Sequence, residues 1–248
     1  MIKLTNKKHS AFTLAEVLIT LGIIGVVAAL TLPTLVQNYK KTVYVNQLKK
    51  SYSTLEQGFQ KMLADEGVER LSDLSYWGAY SNSWNNSKDT TVSAIDNVFN
   101  KGFKTTYHTI PDYVVTFLNQ SSNYFEDGYT NHVQFADNSA LVGFYFYSTP
   151  IQKTPDECRL IKSHGGSMCS MIGSNIWIDV NGGAKGPNKL GRDIFEFDLS
   201  DEGKLYPYGG KDICLFWSPN GSCQPDFTEN CGQSCAARII ANGWKMDY

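Results

Sequence analysis

Three sets of residues have the types and spacings that chemistry uses. The first is a single acid, Glu16, inside a run from Phe12 to Leu32 that carries no other charge. The second is Asp179, Asn181 and Asp193, oxygen-bearing side chains at the two ends of the glycine-rich stretch NGGAKGPNKLG (181–191). The third is six cysteines, Cys158, Cys169, Cys214, Cys223, Cys231 and Cys235, all within the last 91 residues. Oxygen ligands folded back by glycines suit a hard cation such as calcium. The same residues also suit a plain turn, in which Asp and Asn bond their own backbone and Gly supplies positive φ. An EF-hand is excluded, because the position that needs a bidentate Glu is Leu190.

Enzymatic chemistry finds little support. None of the four histidines, His9, His108, His132 and His164, sits in HExxH, and there is no GxSxG elbow. The Gly- and Lys-rich loop does not follow the phosphate-binding pattern GxxxxGK[ST]. HGGSMCS (164–170) is bracketed by Cys158 and Cys169 and reads as a tethered loop rather than a nucleophile site. An even cysteine set behind an export segment reads as a disulfide framework. No CxxC pair of the kind zinc sites use is present. Proximity pairs Cys158 with Cys169 and leaves the other four open.

The elements that position Glu16 follow from the run around it. Phe12–Leu32 is 21 residues, and as a helix it measures about 31 Å, close to the hydrocarbon thickness of a bilayer. Lys3, Lys7 and Lys8 precede it, which favours a cytoplasmic N-terminus. Without those three lysines the remainder has 19 basic against 24 acidic residues, which argues against a dedicated nucleic-acid binder. An ordinary signal peptide or a plain anchor would account for the lysines and the run, with VAA (27–29) as the cleavage site. Neither accounts for Glu16, since a charge deep in a bilayer costs about 2.5–3.5 kcal/mol. The next lysine is Lys40. A cut between Ala11 and Phe12 would create a cationic amine four residues from Glu16, able to meet the carboxylate within one helix or between neighbouring helices.

AFTLAE followed by an apolar run, with Pro33 at its end, resembles the class III signal of type IV pilins and type II secretion pseudopilins. The resemblance covers about 22 residues. It implies a prepilin peptidase that cuts after Ala11 and methylates the amine of Phe12. It further implies that Glu16 guides helix packing in a filament and that Pro33 kinks the helix. The residue before the cut is usually Gly in that family; Ala11 is small enough for the same position.

Downstream, Val45, Leu48, Tyr52, Leu55, Phe59 and Met62 repeat every three or four residues and predict an amphipathic continuation of the helix to about Ala64. Lys40, Lys41, Lys49, Lys50 and Lys61 form its solvated side. YWGAYSNSW (76–84) holds four aromatics, which read as helix-packing residues or, alternatively, as a glycan-binding surface built on Trp77 and Trp84. HVQFADNSALVGFYFY (132–147) alternates around Asp137–Asn138 and predicts a hairpin. SNIWIDV (174–180) and RDIFEFDLS (192–200) predict a second strand pair, with a turn following at Asp201–Gly203. CGQSCAARIIANGWKMDY predicts a short helix ending at Gly243 that covers a sheet edge.

The expected fold is α+β and pilin-like: a long N-terminal helix on an antiparallel sheet, with a disulfide-bonded C-terminal extension. The expected organisation is a leader at 1–11, a transmembrane or filament-core helix at 12–33, its amphipathic continuation at 34–64, and an extracytoplasmic head at 65–248. The expected function is that of a structural subunit rather than an enzyme, in a type IV pilus-like or type II secretion pseudopilus filament. Its partners would be the prepilin peptidase/methyltransferase and other pilin or pseudopilin subunits. The inner membrane would hold it before assembly, and no nucleic acid is expected. A membrane-anchored glycan-binding module is the alternative from another class.

Overall fold

The computed structural model describes residues 13–76, 99–107, 115–118, 133–146, 174–182, 185–208, 223 and 232–248. The chain divides into two compact units, Met1–Lys41 and Thr42–Tyr248, and helix α1 (Leu14–Glu66) enters both.

In the first unit α1 is a helix rich in Leu, Ile, Val and Ala that continues through Pro33. Its polar hydroxyls are satisfied locally: Thr20 Oγ1 donates to the carbonyls of Glu16 and Val17, and Thr31 Oγ1 to that of Val27. Such back-bonding lets a hydroxyl sit in an apolar helix without a water partner.

In the second unit the predicted stripe is the buried face of α1. Val45, Leu48, Leu55, Phe59 and Met62 are buried, and Tyr52 is half-buried. The helix stops at Gly67, whose φ of 67° is left-handed. There the N–H of Val68 returns to the Leu63 carbonyl at 3.1 Å, the Schellman pattern that satisfies terminal carbonyls.

Six strands form one antiparallel sheet in chain order: β1 (Thr105–Tyr107), β2 (Val133–Phe135), β3 (Ala140–Phe146), β4 (Ser174–Asp179), β5 (Ile194–Leu199) and β6 (Leu205–Pro207). The β2–β3 hairpin turns through Asn138 at φ 78°, and the β5–β6 hairpin through Gly203 at φ 73°. Both turns lie where the sequence predicts them. Register places Leu141 opposite Ile178, Ile178 opposite Phe195, and Ile176 opposite Phe197. These residues join α1 in the main core. Within it, Phe59 meets Phe99 and Phe103 edge-on at 6.0 and 5.4 Å.

The alternate residues point to the other face, where Ala140, Val142 and Ile194 cluster with Val115, Leu190 and the partly buried Trp177. Strand β5 is therefore buried on both faces, Glu196 and Asp198 included. Two-sided burial is unusual for a strand of an antiparallel sheet and explains why its sequence is not cleanly in-out.

Helix α2 (Cys235–Ala241) forms as predicted, and Gly243 at φ 67° ends it with the N–H of Trp244 on the Ile239 carbonyl. It packs against β5, an interior strand, rather than along an edge as the sequence predicted. Cys235, Ala236 and Ile239 enter the main core, where a hydrophobic helix face is worth more than edge protection. Cys223 and Cys235 form a disulfide, one of the pairings the sequence left open. Cys158, Cys169, Cys214 and Cys231 lie outside the described residues, as do Trp77 and Trp84.

Candidate functional site

Two places gather the residues singled out by the sequence. The first is the start of α1. Thr13 precedes the first helical residue, and its backbone N–H and hydroxyl both donate to Glu16 Oε2 at 2.8 Å. In return the Glu16 N–H donates to Thr13 Oγ1 at 3.2 Å. This is a capping box, in which the N-cap residue and the third helical residue satisfy each other's free backbone donors. Sequence reasoning missed it, although Thr-x-x-Glu before an apolar run is its signature. Glu16 thus has a role inside its own chain and still presents its carboxylate at the helix surface. Ala11 and Phe12 lie outside the described residues, and Pro33 is accommodated inside α1.

Beyond the cap, the side chains of Leu14, Leu18, Ile19, Leu21, Ile23 and Ile24 are all at least 60% exposed. α1 is long and apolar enough to cross a membrane, by length and composition. Exposed apolar surface on this scale marks a membrane or protein contact.

The second place is the β4–β5 connection. Here the structure brings together Asp179, Asn181 and Asp193. Asp179 Oδ1 accepts the N–H groups of Asn181 and Gly182, each at 3.0 Å. Asp193 Oδ1 accepts the Lys189 N–H at 2.7 Å, and its Oδ2 accepts from Asn188 N–H at 2.9 Å and Asn181 Nδ2 at 3.2 Å. Burial raises the Asp193 pKa, and the N–H donors partly oppose it. Gly182, at φ 91°, is required twice over: a Cβ there would lie 2.3 Å from the Asn138 carbonyl oxygen in the β2–β3 turn.

Tyr44 of α1 completes the surroundings. Its phenol is held above the ordinary value by burial first, then by Asp193, with Arg192 and a hydrogen bond to Asn181 opposing and Asp179 adding. Both carboxylates are fully buried. Asn181 Oδ1 and Asn188 Oδ1 are buried without a hydrogen-bond partner among the described residues. Among those residues no three His, Cys, Asp or Glu side chains come together, so a soft or transition-metal centre does not fit. An all-oxygen set with two anions and two amide oxygens lacking donors does fit a hard cation.

Residues 6–32 match the prokaryotic N-terminal methylation motif, the signal of type IV pilins and pseudopilins. The chain carries that signal on an α+β, pilin-like fold, in which the long helix lies on an antiparallel sheet and a disulfide ties the C-terminal region. That signal supports a type IV pilin-like or pseudopilin precursor. The chain matches no curated protein and no solved structure.

Proposed function

We propose that the protein is a structural subunit of a type IV pilus-like or type II secretion pseudopilus filament. It is made as a prepilin, cleaved after Ala11 and N-methylated at Phe12 by a prepilin peptidase/methyltransferase. Before assembly it sits in the inner membrane as a single-pass protein, N-terminus in the cytoplasm and head outside. The observation that carries this is the methylation motif at 6–32 at the start of a helix whose large apolar side chains from Leu14 to Val36 are exposed. In the filament, Glu16 meets the new amine of a neighbouring subunit, so that assembly removes an uncompensated charge from an apolar setting. The test is the N-terminal peptide of the membrane-extracted protein, read by mass spectrometry in cells with their native processing enzymes. Methylated Phe12 is the expected result; a start at Leu30 would mean an ordinary signal peptide and sink the proposal.

The orphaned amide oxygens of the β4–β5 connection favour a second role for the head. Asp179, Asn181 and Asp193, with Asn188, would hold a calcium ion that gives the orphaned amide oxygens of Asn181 and Asn188 a partner beside two buried carboxylates. Calcium should then raise the melting temperature of the detergent-solubilised protein, and chelation should lower it. No titration heat and no shift would remove this role.

A further inference from the structure

A groove of about 640 Å³ lies in the second unit, between the end of α1 and the β5–β6 turn. Leu63 and Val68 give it an apolar floor, and Glu56, Glu69, Glu202 and Lys204 stand around it. Its wall is fixed: Gln60 Nε2 donates to the carbonyls of Glu202 at 2.8 Å and Gly203 at 3.3 Å, which ties the turn to α1. Glu56 is anchored by the Tyr52 hydroxyl at 3.1 Å. Glu69 and Glu202 are exposed and form no ion pair among the described residues. Three acids against one lysine leave the groove negative over an apolar floor.

The complementary surface is on the same helix. Between Glu16 and Glu56 the chain has no acid at all, and four lysines, Lys40, Lys41, Lys49 and Lys50, fall in that interval. No lysine among them has a helical partner of opposite charge three or four residues away on its N-terminal side. Lys40 and Lys41 form no ion pair among the described residues; Lys50 reaches Asp137 at 3.7 Å yet stays 61% exposed. Lys49 rests its charge over the Trp244 ring at 5.4 Å.

The geometry points to the groove as the docking site for Lys49 and Lys50, the head-side end of that basic interval, in a second copy of the chain. Two different patches meet, so the contact is head-to-tail, the kind that an open helical filament repeats. Lys49 and Lys50 precede Glu56 by six or seven residues, so an axial stagger of about 10 Å brings them level with a neighbour's groove. The apolar floor receives the lysine stems while the heads meet the acids. The inference rests on the filament proposal and adds to it the surface through which the heads read one another.

The test is zero-length carbodiimide cross-linking of the full chain in its native cells, which joins a lysine to a carboxylate only where they touch. Two copies that differ by a conservative, mass-shifting substitution within the linked peptides are co-expressed, so links between copies are recognised by mixed mass. Expected are mixed links from Lys49 or Lys50 to Glu69 or Glu202. The pair Glu69→Lys with Glu202→Lys should lower the assembled fraction about fivefold, and Lys49→Glu with Lys50→Glu in the same chain should restore it. Filaments whose lysines link elsewhere, or no rescue by the reversed pair, would overturn the docking site and leave the filament proposal standing. Lysines that only retain the chain on anionic lipid vesicles, with the groove acids unlinked, would also overturn it. Methylated Phe12 without any oligomer would instead overturn the filament proposal, and the docking site with it.

Discussion

From Leu14 to Val36 the large apolar side chains of α1 are 41–77% exposed; from Val45 to Leu63 those of its buried face are 0–6% exposed. One helix thus has two solvents. The first stretch is apolar all round, so no rotation can hide it against a single sheet. The second confines its apolar residues to a stripe spaced by three and four, with lysines opposite, and one sheet face covers it. The head is therefore stabilised by its own core, whereas the N-terminal stretch must obtain its burial from lipid or from other chains.

The most drastic way to break that contrast is to remove the charge that gives the N-terminal stretch its partner. Glu16→Gln keeps an amide oxygen that can complete the capping box with Thr13, but it carries no charge. The variant should be inserted and processed yet be lost from filaments, as judged by fractionation of membrane and filament. Normal incorporation would mean the cap alone is what Glu16 provides.

Next in size is a cavity on the buried side. Phe59→Ala should destabilise the head by about 3–5 kcal/mol, seen in thermal melts of the solubilised chain. Ile24→Ala, on the exposed stretch, should leave the same melting transition where it is.

A smaller effect lies at the sheet's second face. Burial pushes the Asp198 carboxyl up to about 8 from an ordinary 3.8. Its Oδ1 accepts from Asn175 Nδ2 at 2.6 Å, and its Oδ2 has no hydrogen-bond partner among the described residues. A carboxyl whose folded pKa is raised favours the fold when protonated. Its contribution is complete below about pH 3.8 and is lost as pH rises toward 8. Asp198→Asn should flatten that slope and raise the melting temperature at pH 8, by on the order of a few kcal/mol of stability. An unchanged pH profile would show that the acid is relieved in another way.

Much of this contrast was legible in the residues themselves. The stripe from Val45 to Met62 and the hairpins at Asn138 and Gly203 came from period and turn chemistry, which act locally. Strand β1 was not legible, because three residues joined to a partner far along the chain leave no periodic trace. The double burial of β5 was hidden for a related reason: Glu196 and Asp198 alternate with Phe and Leu as surface residues would. At the candidate sites, Asp179, Asn181 and Asp193 could be placed near one another from the sequence, since glycines between two strands fold the ends together. It could not find Tyr44 or Asn188, which arrive through tertiary packing and loop path. The capping box at Thr13 is legible in Thr-x-x-Glu, a local signal independent of the cost of Glu16 in a bilayer.

The two end strands of the sheet carry a further consequence. β1 and β6 are each three residues long, and β6 finishes at Pro207, which has no N–H to offer a ladder. Subunits brought side by side in a filament reach very high local concentration, the condition under which open strands recruit copies of themselves into irreversible cross-β stacks. Short margins, one of them stopped by proline, work against that route. In the proposed filament, crowded heads would then stay individually folded, and growth would be left to contacts that can also come apart.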